Sequence, residues 1–100
     1  MIYDDIIKSI DEHLSKSPKL YYRDFYIGIT DNIDERLFGY HKVNKQSDWW
    51  IYCIGDSEDI ARKVEKYYIN KGMKGGPGGG KGEGKTKCVY CYEITNNTKE

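Results

Sequence analysis

The segment Phe25–Thr30 constrains the fold more than any other part of the chain, because it predicts a strand that leads directly into a helix. Most of its residues are aromatic or β-branched, and these types favour strands. Asp31 is a suitable N-cap for the helix that follows, and Asp34 and Glu35 would lie in its first turn, where the helix dipole favours acidic residues. The sequence therefore predicts a strand–turn–helix unit here.

The rest of the chain predicts two more helices and two more strands, in the overall order α-β-α-β-α-β. Apolar spacing, apolar runs of strand length, and glycine or proline at the boundaries indicate them. The expected elements are a helix over Asp4–Lys16, a strand over Leu20–Thr30 with an irregular first part around Arg23-Asp24, a helix from Asp31, a strand over Trp49–Ile54, a helix over Ser57–Lys71 with Gly72 as its C-cap, and a strand over Lys87–Thr95. We expect one α/β (α+β) domain over residues 1–100, with a small, mainly antiparallel three-stranded sheet flanked by three helices and a frayed tail.

Composition narrows the classes of function. One hundred residues suffice for a single modest core, and ten tyrosines suit an aromatic-lined cleft, since tyrosine buries its ring and keeps a hydroxyl for a partner. Sixteen basic and sixteen acidic residues cancel, so only a local patch could argue for a nucleic-acid partner. Without an apolar run of membrane-spanning length or a signal sequence, we expect a cytoplasmic protein with no membrane partner and reduced cysteines.

Tyr26-Ile27-Gly28 is followed by Arg36, ten residues after the tyrosine, and then by His41 five residues later. This strand and helix resemble the YIG half of the signature of GIY-YIG nucleases. In that family a catalytic arginine follows the tyrosine at about this distance, often with a histidine one further turn along. The resemblance implies catalytic roles for Tyr26, Arg36 and His41.

A second stretch, Cys88–Asn97, is similar to the GIY strand of the same family and the turn after it, with Tyr90 as the tyrosine. The family carries that strand before the YIG strand, whereas here it comes last. The resemblance therefore implies a circularly permuted domain in which the last strand lies antiparallel beside Phe25–Thr30. Chain termini are often close in space, which makes such a rearrangement tolerable.

Glu65, on the predicted third helix, matches the catalytic glutamate that this family carries on its last helix. The resemblance implies a metal-dependent endonuclease in which Glu65 holds Mg²⁺ or Mn²⁺; Mg²⁺ prefers oxygen ligands and keeps most of its waters. Arg36 would match two phosphate oxygens with its planar fork. Tyr26 or Tyr90 would orient or deprotonate the attacking water, and His41 would position the phosphate or relay a proton.

Each of these residues also has an ordinary structural interpretation. Tyr26 can be a plain strand residue, and Arg36 can be a solvated helix residue. His41 can complement the dipole at a helix C-terminus. Glu65 can pair with a neighbouring basic residue on an exposed face. Only their joint spacing favours a nuclease-like site.

Residues 72–87 form a segment rich in glycine and lysine, with eight glycines among residues 72–84. One interpretation is a flexible loop that spans the domain to place the last strand. The other is a loop that grips phosphate through backbone N–H groups and lysines. Its ligand-binding residues would be Lys74, Gly78, Gly79, Lys81 and Lys85. A Walker A site is rejected, because no helix follows the Gly-Lys-Thr ending.

Two other functions stay open. Cys88 stands where the family has its first glycine, and the late asparagine of the family has no clear counterpart. Both departures favour a catalytically inactive module that binds a nucleotide, a nucleic acid or a defence protein, as a phage or mobile-element counter-defence protein would. Alternatively, Trp49, Trp50 and the tyrosines would anchor a protein-interaction surface. Assembly into a homo-oligomer is also left open.

Overall fold

The computed structural model describes residues 1–19, 21–76 and 86–100. Within these ranges the chain forms two α-helices, one π-helix, one short 3₁₀ turn and three strands. They are α1 (Tyr3–Leu14), the 3₁₀ turn (Tyr22–Asp24), β1 (Phe25–Thr30), the π-helix (Asp34–Tyr40), β2 (Trp50–Ile54), α2 (Glu58–Lys71) and β3 (Cys88–Glu93). The expected class, an α+β fold with an antiparallel three-stranded sheet flanked by three helices, is confirmed.

The last strand, β3, occupies the centre of the sheet and pairs antiparallel with both β1 and β2. In this register Gly28 lies opposite Tyr90, and Tyr26 lies opposite Tyr92. The pairing confirms the prediction that the last strand runs antiparallel beside Phe25–Thr30. Because successive side chains of a strand point to opposite faces, Tyr90 and Tyr92 lie on the same side of the sheet as Tyr26.

The sheet has two covered faces of different composition. The first, which we call the helical face, packs against α1 and α2 through apolar side chains. Its buried members include Ile6, Ile10, Phe25, Ile27, Ile29, Ala61, Val64, Tyr68, Val89 and Cys91. The second, which we call the aromatic face, packs against the π-helix and the segment after it. Its buried members are Tyr26, Leu37, Val43, Tyr90 and Tyr92.

Helix α2 begins and ends where the sequence predicts. The Ser57 side chain accepts a hydrogen bond from the Ile60 backbone N–H at 3.2 Å, and Gly72 ends the helix with a φ of 115°, which favours glycine. The Tyr68 hydroxyl donates to Asp11 on α1 at 2.8 Å, so the two helices are joined by a polar contact as well as by apolar packing. None of the described helices is long and apolar enough to cross a membrane.

Two predicted boundaries shift for local reasons. The strand begins at Phe25, and the irregular part expected around Arg23-Asp24 is a 3₁₀ turn in which the Asp24 N–H donates to the Tyr21 carbonyl at 3.0 Å. At the next helix Asn32 takes the capping role predicted for Asp31, and its side chain accepts from the Glu35 N–H at 3.1 Å. The Thr30 hydroxyl accepts from the Asn32 N–H at 3.1 Å, which places Asn32 at the turn.

The beginning of the glycine-rich segment runs beside the outer edge of β1. The Lys74 backbone carbonyl accepts from the Ile27 N–H at 2.9 Å, and its N–H donates to the Phe25 carbonyl at 3.0 Å. These bonds form a parallel bridge with Tyr26 that satisfies an otherwise unpaired strand edge. They also bring Gly76 next to the Tyr26 side chain, at the site described below.

Candidate active site

Tyr90 lies across Gly28 on the aromatic face. A Cβ atom added to Gly28 would lie 2.4 Å from both Cζ and the hydroxyl oxygen of Tyr90, well inside van der Waals contact. Any other residue at position 28 would therefore displace the phenol. The register explains why, since Gly28 is the direct cross-strand partner of Tyr90. The glycine of the Tyr26-Ile27-Gly28 motif thus makes room for the tyrosine of the last strand.

The Tyr90 hydroxyl meets His41, which follows the π-helix and is fully buried. His41 Nδ1 lies 2.6 Å from the Lys99 carbonyl oxygen, and Nε2 lies 2.7 Å from the Tyr90 hydroxyl. A carbonyl can only accept, so we assign the proton to Nδ1, and Nε2 then accepts from Tyr90. Burial, with a smaller contribution from Arg36, lowers the pKa of His41 and favours its neutral form.

The carboxy-terminal tail holds His41 in this orientation. The Lys99 N–H donates to the His41 carbonyl at 2.7 Å, and the Lys99 carbonyl accepts from the imidazole and, at 3.2 Å, from the Tyr92 hydroxyl. The expectation that residues 96–100 fray is therefore wrong at Lys99. Such a carbonyl fixes both the ring position and the tautomer of a histidine.

Arg36 also acts on the Tyr90 hydroxyl. The interaction of its guanidinium with that hydroxyl raises the pKa of Arg36 further. The same group lies over the Tyr40 ring at 4.6 Å from the centroid. Its Nε is buried without a hydrogen-bond partner. The arginine is thus held at the site by Tyr90 and Tyr40 while part of its donor capacity is unused.

Tyr26 completes the aromatic part of the site. Its ring stacks on Tyr92 at 5.3 Å between centroids and lies 4.8 Å from the His41 ring. Burial raises the pKa of Tyr26, while a hydrogen bond from the Gly76 backbone and the charge of Arg36 act in the opposite direction. Burial likewise raises the pKa of Tyr90, and its hydrogen bond with Arg36 opposes that rise. Both phenols are therefore protonated at neutral pH.

Glu65 faces this group from α2. Its negative charge raises the pKa values of Tyr26 and Tyr90, so the carboxylate acts on both phenols. Burial raises the pKa of Glu65 itself, and Arg62 opposes that effect. The expected pairing with a basic neighbour is not formed with Arg62, whose Nε binds Glu58 at 3.0 Å. Within the described residues the Glu65 carboxylate has no hydrogen bond or ion pair.

The donor set for a metal ion is small. In the described part of the chain no group of three or more His, Cys, Asp or Glu side chains could hold a metal. Glu65 alone suits an ion that takes one carboxylate and keeps its waters, as Mg²⁺ does when a substrate phosphate supplies further oxygens. The half-buried, unpaired carboxylate fits that requirement and does not fit a closed protein site.

The structure brings together all five predicted catalytic residues, Tyr26, Arg36, His41, Glu65 and Tyr90. Among the predicted phosphate-binding residues only Lys74 is described; its side chain is exposed and bonds to no other described residue. Gly78, Gly79, Lys81 and Lys85 lie outside the described residues. Two groups of the site, the Tyr92 side chain and the Lys99 carbonyl, were not predicted from the sequence. Tyr92 could have been predicted, because it lies two residues after Tyr90 and so shares its face of the strand. No sequence pattern indicates the Lys99 carbonyl.

The residues proposed for other roles lie elsewhere. Trp49 packs against Phe25 with ring centroids 4.9 Å apart, and Trp50 packs against Phe38 at 5.0 Å, so both indoles are partly covered within the domain. All three cysteines are buried and free, as expected.

The arrangement can now be compared with known proteins. No protein-family model matches the chain, and neither a curated protein nor a solved structure matches it. The likeness to GIY-YIG nucleases therefore rests on the residues of this chain and stays a prediction.

Proposed function

We propose that the protein hydrolyses phosphodiester bonds of nucleic acid at the site formed by Tyr90, His41, Arg36, Tyr26 and Glu65. The observation that carries the proposal is the 2.7 Å hydrogen bond from the Tyr90 hydroxyl to His41. The guanidinium of Arg36 supports it, because it acts to lower the pKa of the same hydroxyl. A phenol between a proton acceptor and a cation has what it needs to act as a base in spite of its burial.

The proton path follows from these contacts. As a water attacks phosphorus, Tyr90 takes the proton of that water and passes its own proton to Nε2 of His41. The resulting imidazolium keeps its Nδ1–H on the Lys99 carbonyl, so the tail stabilises the charged intermediate. A concerted transfer of this kind avoids a free phenolate, which the raised pKa of Tyr90 makes unfavourable.

Arg36 and Tyr26 would hold the phosphate. Arg36 is partly exposed, so its guanidinium can bind two phosphate oxygens and balance the charge that develops on them. The Tyr26 hydroxyl would donate its proton to a phosphate oxygen. Glu65 would hold Mg²⁺ or Mn²⁺, which would supply Lewis-acid stabilisation of the departing oxygen.

Cleavage of plasmid DNA and of single-stranded RNA with Mg²⁺ or Mn²⁺ tests this function. We expect Arg36→Lys to lower the rate by about 100-fold, because the planar fork is lost while the charge is kept. Arg23→Lys is a matched control, since Arg23 also lies over a tyrosine ring, at 4.5 Å from Tyr21. Glu65→Gln should abolish activity, because the proposed metal ligand is lost, and the exposed Glu12→Gln is its control. Equal rates in all five proteins would contradict the proposal.

One observation favours a second candidate, a module that binds phosphate without hydrolysing it. Tyr90 is 1% exposed and His41 is fully buried, so an attacking water has little access to the proposed base. A wild-type protein that cleaves nothing, yet binds a nucleotide or nucleic acid less tightly after Arg36→Lys, would support this candidate. Binding that is unchanged in Arg36→Lys would contradict it.

A further inference from the structure

A cavity of about 500 Å³ lies between the first turn of α1 and one side of α2. It is lined by Tyr3, Ile60, Lys63, Lys66, Tyr67 and Asn70, and we call it the α2 groove. Its volume falls in the range of ordinary small-ligand sites, about 300–1,000 Å³. None of the five proposed catalytic residues lines it. The α2 groove is therefore a separate recess.

The two tyrosine rings of the groove are set at right angles. The Tyr3 and Tyr67 centroids are 6.4 Å apart and the ring planes meet at 89°. A flat aromatic group in the groove can stack on one ring and meet the edge of the other. Asn70 adds an amide that can both donate and accept at the rim. These groups suit a nucleobase better than an aliphatic chain.

The charge at the rim is positive. Lys63 and Lys66 are exposed, and neither forms an ion pair with another described residue. From Arg62 to Lys71, α2 carries four basic residues and one acidic residue, although the whole chain has no net charge. Arg62 is paired with Glu58, and Lys71 lies over the Tyr67 ring at 5.3 Å from its centroid. Of the four basic residues, Lys63 and Lys66 are the two that line the groove. Local basic charge next to aromatic rings is the combination that binds single-stranded nucleic acid.

Lys63 at the groove and Glu65 of the proposed catalytic site lie on nearly opposite sides of α2. Lys63 and Glu65 are two residues apart, which places them about 160° apart around an α-helix, and Lys66 lies on the outer surface between them. The helix is about 10 Å wide, so a strand of two or three nucleotides can cross it. Lys66 would then contact the phosphate that lies over the helix.

We propose that the α2 groove binds a single-stranded segment of nucleic acid, with one base against Tyr3 and Tyr67 and the flanking phosphates on Lys63 and Lys66. The choice of ligand rests on the proposed nuclease function. A base can enter the groove only when it is unpaired and unstacked, which excludes the interior of a duplex.

Binding of a short labelled single-stranded oligonucleotide, followed by fluorescence anisotropy in EDTA, tests the inference without cleavage. We expect Lys63→Ala/Lys66→Ala to weaken binding and to reduce the salt slope of log K by about 1.4, since each phosphate contact on a single strand contributes about 0.7. Tyr67→Leu keeps an apolar side chain and should weaken binding at least about fivefold, because stacking is lost. The unlabelled duplex of the same sequence should compete less well than the single strand.

The control for charge is Lys8→Ala/Lys16→Ala, which removes two exposed lysines outside the groove, one on α1 and one just after it. Equal weakening by the two double variants, or wild-type binding by Lys63→Ala/Lys66→Ala, would overturn the inference. Lys63 and Lys66 are exposed, so their double variant tests the inference even where Tyr67→Leu does not fold. If the wild type cleaves nothing but the groove variants weaken oligonucleotide binding, the nuclease proposal alone is contradicted. If the wild type cleaves but the groove variants bind the oligonucleotide as tightly as it does, this inference alone is contradicted.

Discussion

The two faces of the sheet share the same strands but are held together by different chemistry. On the helical face β1 and β3 present aliphatic side chains, the Phe25 ring and a thiol to α1 and α2. On the aromatic face the same strands present three tyrosines, whose hydroxyls bond to a histidine, an arginine and backbone groups. Apolar contacts are non-directional, whereas each buried hydroxyl must meet its partner at a defined position.

The aromatic face is the part of the domain in which side chains are held in positions that packing alone does not require. A buried polar group that loses its partner costs about 1–3 kcal/mol, so a network of tyrosines and a histidine is a hazardous way to fill a small core. An aliphatic face would stabilise the sheet without requiring each buried side chain to meet a hydrogen-bond partner. The polar network is therefore the part of the fold that we assign to function.

The largest effect on stability is expected from Ile27→Ala on the helical face. Ile27 is fully buried among the helices, and removing most of its side chain should lower the free energy of unfolding by about 2–5 kcal/mol. Urea denaturation measures this loss. Ile54→Ala, at a side chain that is 51% exposed, should change it by less than about 0.5 kcal/mol. Similar losses in the two variants would contradict the assignment of the helical face as the main core.

The next effect sharpens the difference between the faces, because Gly28→Ala adds one carbon to the aromatic face. The added Cβ would lie 2.4 Å from Tyr90, so the phenol must move away from His41. We expect a loss of about 1–3 kcal/mol in stability and loss of cleavage. Gly39→Ala is the matched control, since its Cβ would meet only the Asp34 carbonyl, at 3.7 Å. Wild-type cleavage by Gly28→Ala would contradict the geometry of the site.

A smaller effect is expected from pH, and it concerns the aromatic face alone. The folded pKa of His41 is lowered from 6.5, so its contribution to stability is complete above pH 6.5 and is lost as pH falls through the lowered folded value. Glu65, whose pKa is raised, acts in the opposite direction. We expect the unfolding free energy of the wild type to fall more steeply on acidification than that of His41→Gln, which keeps Glu65. Identical slopes in urea denaturation at successive pH values would contradict a buried neutral His41.

Much of the fold could be predicted because its signals are local. Apolar spacing and the flanking Ser57 and Gly72 fix α2, and strand-forming runs fix β1 and β3. The position of β3 beside β1 came from a resemblance and not from periodicity. Asn32 could not be separated from Asp31 as the cap, because both residue types serve that role and the Thr30 turn decides between them.

The candidate site could be predicted only in part, for a physical reason. Tyr26, Arg36 and His41 follow one another along a strand and a helix, so their spacing carries a signal. The contact between His41 and Lys99 joins residues 58 positions apart through a backbone carbonyl, and no side-chain pattern encodes such a contact. The role of Gly28 likewise depends on strand register, which the sequence does not specify without the partner strand.

The most direct test of the proposed site is single-turnover cleavage by Tyr90→Phe beside Tyr52→Phe, with both proteins folded as judged by urea denaturation. Tyr90→Phe removes the hydroxyl of a buried phenol that bonds to His41, and Tyr52→Phe removes the hydroxyl of a phenol that is 42% exposed. We expect Tyr90→Phe to cleave at least about 100-fold more slowly than the wild type, because the base is lost, and Tyr52→Phe to cleave at the wild-type rate. Wild-type cleavage by Tyr90→Phe would contradict the assignment of this tyrosine as the base.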